Sequence, residues 1–105
     1  MTLQQLTDLI LDQAKAKGFG TTPKGIDVPE KIALIHSEVS EAFEAWRHQN
    51  INGKDGFAEE IGDAVTRLLH LAGALNIDVE KEILKKLENN KDRDWDWDKM
   101  NEKHS

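Results

Sequence analysis

Two short acidic pairs, Glu38-Val-Ser-Glu41 and Glu60-Ile-Gly-Asp63, are the residues of this 105-residue chain best suited to chemistry. Residues three apart on an α-helix share one face, so each pair presents two carboxylates in one direction from rigid backbone. Four converging carboxylates form a cage for a hard divalent cation. All-oxygen ligand sets suit Mg²⁺ or Mn²⁺, and protein-bound Mg²⁺ most often works on phosphate groups. A single Glu-x-x-Glu says little in a chain with 20 acidic residues, because several fall at helical spacing on a solvated face. Two such pairs on neighbouring helices, with residues 42–59 and one tight turn between them, say more. Carboxylates at the edge of a core need a charge partner, and one cation shared among the four supplies it.

Four helices position these residues. Thr2-Leu-Gln-Gln5 has the pattern of a capping box, and Leu3, Leu6, Ile10 and Ala14 follow at helical spacing until Gly18 and Gly20, predicting a helix over about 3–17. Residues 18–28 carry a Thr-Thr-Pro turn signal and Gly25, and read as the longest internal loop, a length often tied to function. Asp27-Val-Pro-Glu30 opens a second helix over about 28–49. Its Ile32, Ile35, Val39, Phe43 and Trp46 form an apolar stripe expected in the core, while Leu34, Glu38, Glu41 and Ala45 form another. A turn at Asn52-Gly-Lys-Asp-Gly56, with Asp55 as the expected N-cap, leads to a third helix over about 56–75. Phe57, Ile61, Ala64, Leu68, Leu71 and Leu75 are its expected core, flanked by Glu60, Asp63, Arg67 and His70. The short link favours an antiparallel hairpin that sets the two acidic pairs face to face. Asn76-Ile-Asp78 starts a fourth helix over about 78–92, with Val79, Ile83, Leu84 and Leu87 on its apolar side. Residues 93–105 are a charged tail holding Trp95 and Trp97. With no β pattern or repeat, residues 1–105 read as one all-α, four-helix bundle-like domain.

Composition narrows the function further. A net charge of −6 argues against wrapping a nucleic-acid polymer, which draws on a basic surface, but a free nucleotide is allowed if a metal supplies positive charge. No apolar run approaches the roughly 20 residues of a membrane span. The first residues lack the basic start of a signal peptide, so a cytoplasmic location is expected. The absence of cysteine removes disulfides, thiolate metal sites and cysteine nucleophiles. No glutamate has a histidine three residues later and no His-Glu-x-x-His occurs, which disfavours iron and zinc. Neither a Gly-x-x-x-x-Gly-Lys loop nor a nucleophile elbow is present.

The run Ala33-Leu-Ile-His-Ser-Glu-Val-Ser-Glu-Ala-Phe-Glu-Ala45, followed by Gly56-Phe-Ala-Glu-Glu-Ile-Gly-Asp63, resembles the MazG-like family of all-α nucleoside triphosphate pyrophosphohydrolases. The similarity extends over about residues 3–93. That resemblance implies Mg²⁺-dependent hydrolysis of a nucleoside triphosphate between the α and β phosphates, a house-cleaning or pool-balancing activity on dNTPs or non-standard nucleotides. It makes Glu38, Glu41, Glu60 and Asp63 the metal ligands; Glu38 and Glu41 are the expected catalytic residues, with Glu41, as a carboxylate not fully engaged by metal, the expected base for the attacking water. It also implies phosphate or base contacts from Lys86-x-x-x-Asn90-x-x-Arg93 and assembly as a homodimer or homotetramer. Phosphoribosyl-ATP hydrolysis shares this chemistry, and a non-enzymatic helical adaptor is the alternative from a different class. Glu44 and Glu59 extend the acidic runs and are expected to face solvent. Trp46 is expected in the core. Phe19, Trp95 and Trp97 are free to stack on a base or pack on a neighbouring subunit, and His70 to approach the acids.

Overall fold

The computed structural model describes residues 1–91, which form α1 (Leu3–Ala16), a 3₁₀ turn (Pro23–Gly25), α2 (Val28–Arg47), α3 (Phe57–Ala74) and α4 (Val79–Lys91). No strand occurs among the described residues. The expected Arg93, Trp95 and Trp97 lie outside them.

Three helices start on side-chain caps that the sequence announces. The Thr2 hydroxyl accepts the Gln5 N–H at 3.0 Å while the Gln5 side chain accepts the Thr2 N–H at 2.8 Å, the reciprocal pattern of a capping box. Asp27 accepts the Glu30 N–H at 3.3 Å to open α2, and Asp78 accepts the Lys81 N–H at 3.0 Å to open α4. The start of α3 corrects the expectation for Asp55. Gly56 is the N-cap and makes no side-chain cap, whereas Asp55 adopts φ 56° and donates its N–H to Glu59 at 2.6 Å. The turn itself satisfies the helix start: the Phe57 and Ala58 N–H groups donate to the Asn50 and Ile51 carbonyls at 2.8 and 3.0 Å. Asn50 closes that turn, accepting from the Gly53 N–H and donating to the Lys54 carbonyl.

α1, α2 and α3 end alike. In each, the residue after the C-cap has positive φ, at Gly18 (86°), Gln49 (60°) and Asn76 (61°). The residue beyond it donates back into the last turn, as Phe19 to Ala14, Asn50 to Ala45 and Ile77 to Ala72. This is the Schellman ending, which satisfies carbonyls that a helix terminus otherwise leaves open.

α2 and α3 form an antiparallel hairpin. The Trp46 and Phe57 rings meet at 5.3 Å beside the turn, and Glu38 meets Arg67 farther along, so the pairing runs in opposite directions. The buried residues of α2 are Ile35, Glu38, Ala42 and Ala45, and those of α3 include Glu60, Ala64, Leu71 and Ala74. Alternating steps of three and four residues mark these as seam positions. Small alanines let the two backbones approach. The expected large apolar stripe of α2 is therefore corrected: Ile35 is buried, but Val39, Phe43 and Trp46 are 55%, 60% and 57% exposed. Ile61 and Leu68 of α3 are also exposed, as are Ile83, Leu84 and Leu87 of α4. A helix packed on one neighbour buries one stripe, and here the acid-bearing stripe takes that place.

α1 lies against α3 where Gly73 faces Thr7 and Leu11; a Cβ at Gly73 would stand 2.8 Å from the Thr7 methyl. Thr7 itself is buried and satisfies its hydroxyl on the Leu3 carbonyl at 2.9 Å. α4 makes its main contact with α1.

Candidate metal centre

The α2–α3 seam brings Glu38, Glu60 and Asp63 together, with one carboxylate oxygen from each lying within 4.8 Å of the others. Glu38 comes from the middle of α2, while Glu60 and Asp63 stand three residues apart in the first two turns of α3. Glu38 and Glu60 are only 9% and 7% exposed, which is rare for carboxylates without partners. One oxygen of Glu38 accepts the Arg67 Nε–H at 3.0 Å. With the acids ionised, the second oxygen of Glu38 and one oxygen of Glu60 are buried without any hydrogen-bond donor. An orphaned buried carboxylate oxygen is costly, and a hard cation is the ligand such an atom fits.

Electrostatics point the same way. Burial first, then hydrogen bonding and charge repulsion from Glu38 and Glu41, push the Glu60 carboxyl up from 4.5 to about 7. Three carboxylates crowd one another here, which favours the protonated form of Glu60. Glu41 thus belongs to the electrostatic cluster, although its oxygens fall outside the tight trio of Glu38, Glu60 and Asp63. It lines a recess of about 600 Å³ together with Ser37, Ser40, His48 and Glu60. Asp63 opens instead onto a second recess of about 310 Å³, between the end of α1 and α3.

The remaining expected residues fall elsewhere. Glu44 is exposed and paired with Arg47 at 3.0 Å and His48 at 3.6 Å, and Glu59 is exposed near the start of α3, where it accepts the Asp55 N–H, as their solvent-facing reading requires. Lys86 lies on α4 in a recess with Ile77, Val79 and Ile83, apart from both acidic recesses. Asn90 is half-buried near the end of the same helix. His70 turns to the loop after α1, its Nε2 lying 2.8 Å from the Gly20 carbonyl, and so ties that loop to α3. Trp46, expected in the core, lines an outer recess with Phe43, Arg47 and Ile51.

The residue that sequence reasoning placed only on a flank is Arg67, the charge partner of Glu38. A signal for it exists: residues 60, 64, 67, 71 and 74 share one seam spacing, and arginine at such a position implies a buried acid opposite. No protein-family model, curated protein or solved structure gives a match to this chain.

Proposed function

We propose that the chain is a Mg²⁺-dependent nucleoside triphosphate pyrophosphohydrolase, with Mn²⁺ able to replace Mg²⁺. The observation that supports this most is the pair of orphaned oxygens on Glu38 and Glu60, buried beside Asp63 on rigid helices. Glu38, Glu60 and Asp63 would hold the cation, with Glu41 at the edge of the same cluster, and the chemistry it would supply there is the neutralisation of charge on phosphate oxygens. Water attacks the α phosphorus, the bond to the bridging oxygen breaks, and pyrophosphate leaves the nucleoside monophosphate. Glu41 is the residue that takes the water's proton, because it reaches solvent while its neighbours are occupied.

The chain acts as a homodimer or homotetramer in this reading. Support comes from the apolar faces that the described residues leave open, with Val39, Phe43 and Trp46 on α2 and Ile61, Val65 and Leu68 on α3. Lys86, Asn90 and Arg93 then serve phosphate from a neighbouring subunit. Light scattering after size-exclusion chromatography checks the assembly, and a monomer would refute it. The activity is tested by a panel of dNTPs, NTPs and phosphoribosyl-ATP with Mg²⁺, followed by pyrophosphate release. Release that persists in Glu38→Gln or Asp63→Asn would remove the proposed site.

A further inference from the structure

We propose that the recess between the end of α1 and α3 is an anion subsite, in which Arg67 and Lys17 hold phosphate oxygens beside the metal centre. This rests on the metal-centre reading and names how that centre receives a polyanion. The recess is lined by Lys17, Phe19, Asp63, Thr66, Arg67 and His70, among others, so two cations and a metal-ligand candidate border one recess. Arg67 uses Nε alone on Glu38, and its two terminal nitrogens make no hydrogen bond or ion pair among the described residues. Its side chain is 43% exposed, so those nitrogens remain available to a ligand. A guanidinium fixed through Nε keeps a forked pair of donors, the geometry that suits phosphate.

Charge makes such a subsite necessary. Four carboxylates, Glu38, Glu41, Glu60 and Asp63, outweigh one divalent cation and one guanidinium, so a triphosphate would still meet a negative surface. The recess on the Glu41 side makes this worse, since Glu44 and Asp55 join Glu41 and Glu60 there and His48 is its one basic residue. Among the described residues, the Asp63 side offers lysine and arginine together and the Glu41 side does not.

The mount is rigid. Lys17 is the C-cap of α1, Gly18 turns the chain at φ 86°, and Phe19 donates back to Ala14 at 2.9 Å. The next residue, Gly20, packs so closely that a Cβ there would collide with the Gly25 carbonyl, and its own carbonyl meets His70. His70 lies three residues after Arg67 on the same face of α3, so the loop that follows Lys17 is anchored beside the arginine.

Calorimetric titration of inorganic tripolyphosphate into the full chain, with and without saturating Mg²⁺, tests the proposal. Arg67→Gln should weaken binding about tenfold or more, and Lys17→Gln about threefold to tenfold. Lys15→Gln, which removes the same charge outside the recess, should bind as the native chain does. Mg²⁺ alone should bind Arg67→Gln at least as tightly as native, because a competitor for Glu38 is gone. Unchanged tripolyphosphate affinity in Arg67→Gln and Lys17→Gln, with Mg²⁺ still bound, overturns the subsite and leaves the metal centre standing. Tripolyphosphate binding that depends on both cations without any Mg²⁺ effect upholds the subsite and removes the metal centre. A native chain that binds neither probe overturns both. Should Arg67→Gln fail to fold, Lys17→Gln at an exposed position decides the matter.

Discussion

The two faces of α2 invert the usual arrangement of a small helical domain. Its inner face buries Ile35, Ala42 and Ala45 with a glutamate among them, whereas its outer face leaves Val39, Phe43 and Trp46 more than half exposed. Burial of large apolar side chains is the main favourable contribution to folding, so the seam gives up stability that the outer residues would have supplied. What it gains is close approach of two backbones and three acids held within one cation's reach. The difference teaches that the hairpin is organised around its charged seam, with large apolar side chains left on the outside among the described residues.

The largest effect expected from breaking this contrast is Glu60→Gln. It should lower pyrophosphate release by at least about a hundredfold, since even residues behind a metal ligand cost up to that much. The same change should raise the melting temperature of the metal-free protein at pH 8, because it removes a buried charge that Glu38 and Glu41 oppose. A variant that lost activity and melted lower would count against the charge-centred seam.

Enlarging the seam sharpens the comparison. Ala42 is 2% exposed, and Ala42→Leu should destabilise the chain by about 1–3 kcal/mol in urea unfolding through overpacking. The same change at the exposed Ala33 of α2, Ala33→Leu, should alter stability by no more than about 0.5 kcal/mol. Equal costs at the two positions would remove the distinction between the faces.

Acidity gives a smaller, continuous readout. The Glu60 carboxyl is raised from 4.5 to about 7, so its proton favours the folded, metal-free protein. That contribution is fully present below pH 4.5 and is lost as pH rises through about 7. The cation requires the deprotonated form, so the stabilisation given by Mg²⁺ should be small at pH 6 and larger at pH 8. Melting curves with and without Mg²⁺ at both pH values check this, and the opposite trend would contradict it. The smallest effect is at the loop: Gly18→Ala places a Cβ at φ 86° and should cost about 1 kcal/mol.

Local signals made much of the fold legible. The capping box at Thr2 and the Asp27 cap lie where the sequence pattern puts them, and the acidic pairs needed only helical spacing and a short turn to be seen as neighbours. Three features escaped for physical reasons. The seam is built from alanines, which carry little hydrophobic signal, so the larger Phe43 and Trp46 drew the core to the wrong face. The Asp55 cap failed because backbone carbonyls at Asn50 and Ile51 already satisfied the start of α3. Lys17 and Arg67 line one recess although they are far apart in sequence, a placement set by the packing of α1 on α3.

Direct titration of Mg²⁺ into the metal-free chain at pH 8 bears most closely on the seam as a cation site. The native protein should give a saturable isotherm accompanied by proton release, with binding lost in Glu38→Gln and Glu60→Gln and retained in Glu44→Gln and Glu59→Gln. An isotherm shared by all five proteins, or no binding by the native chain, would contradict a metal centre at Glu38, Glu60 and Asp63.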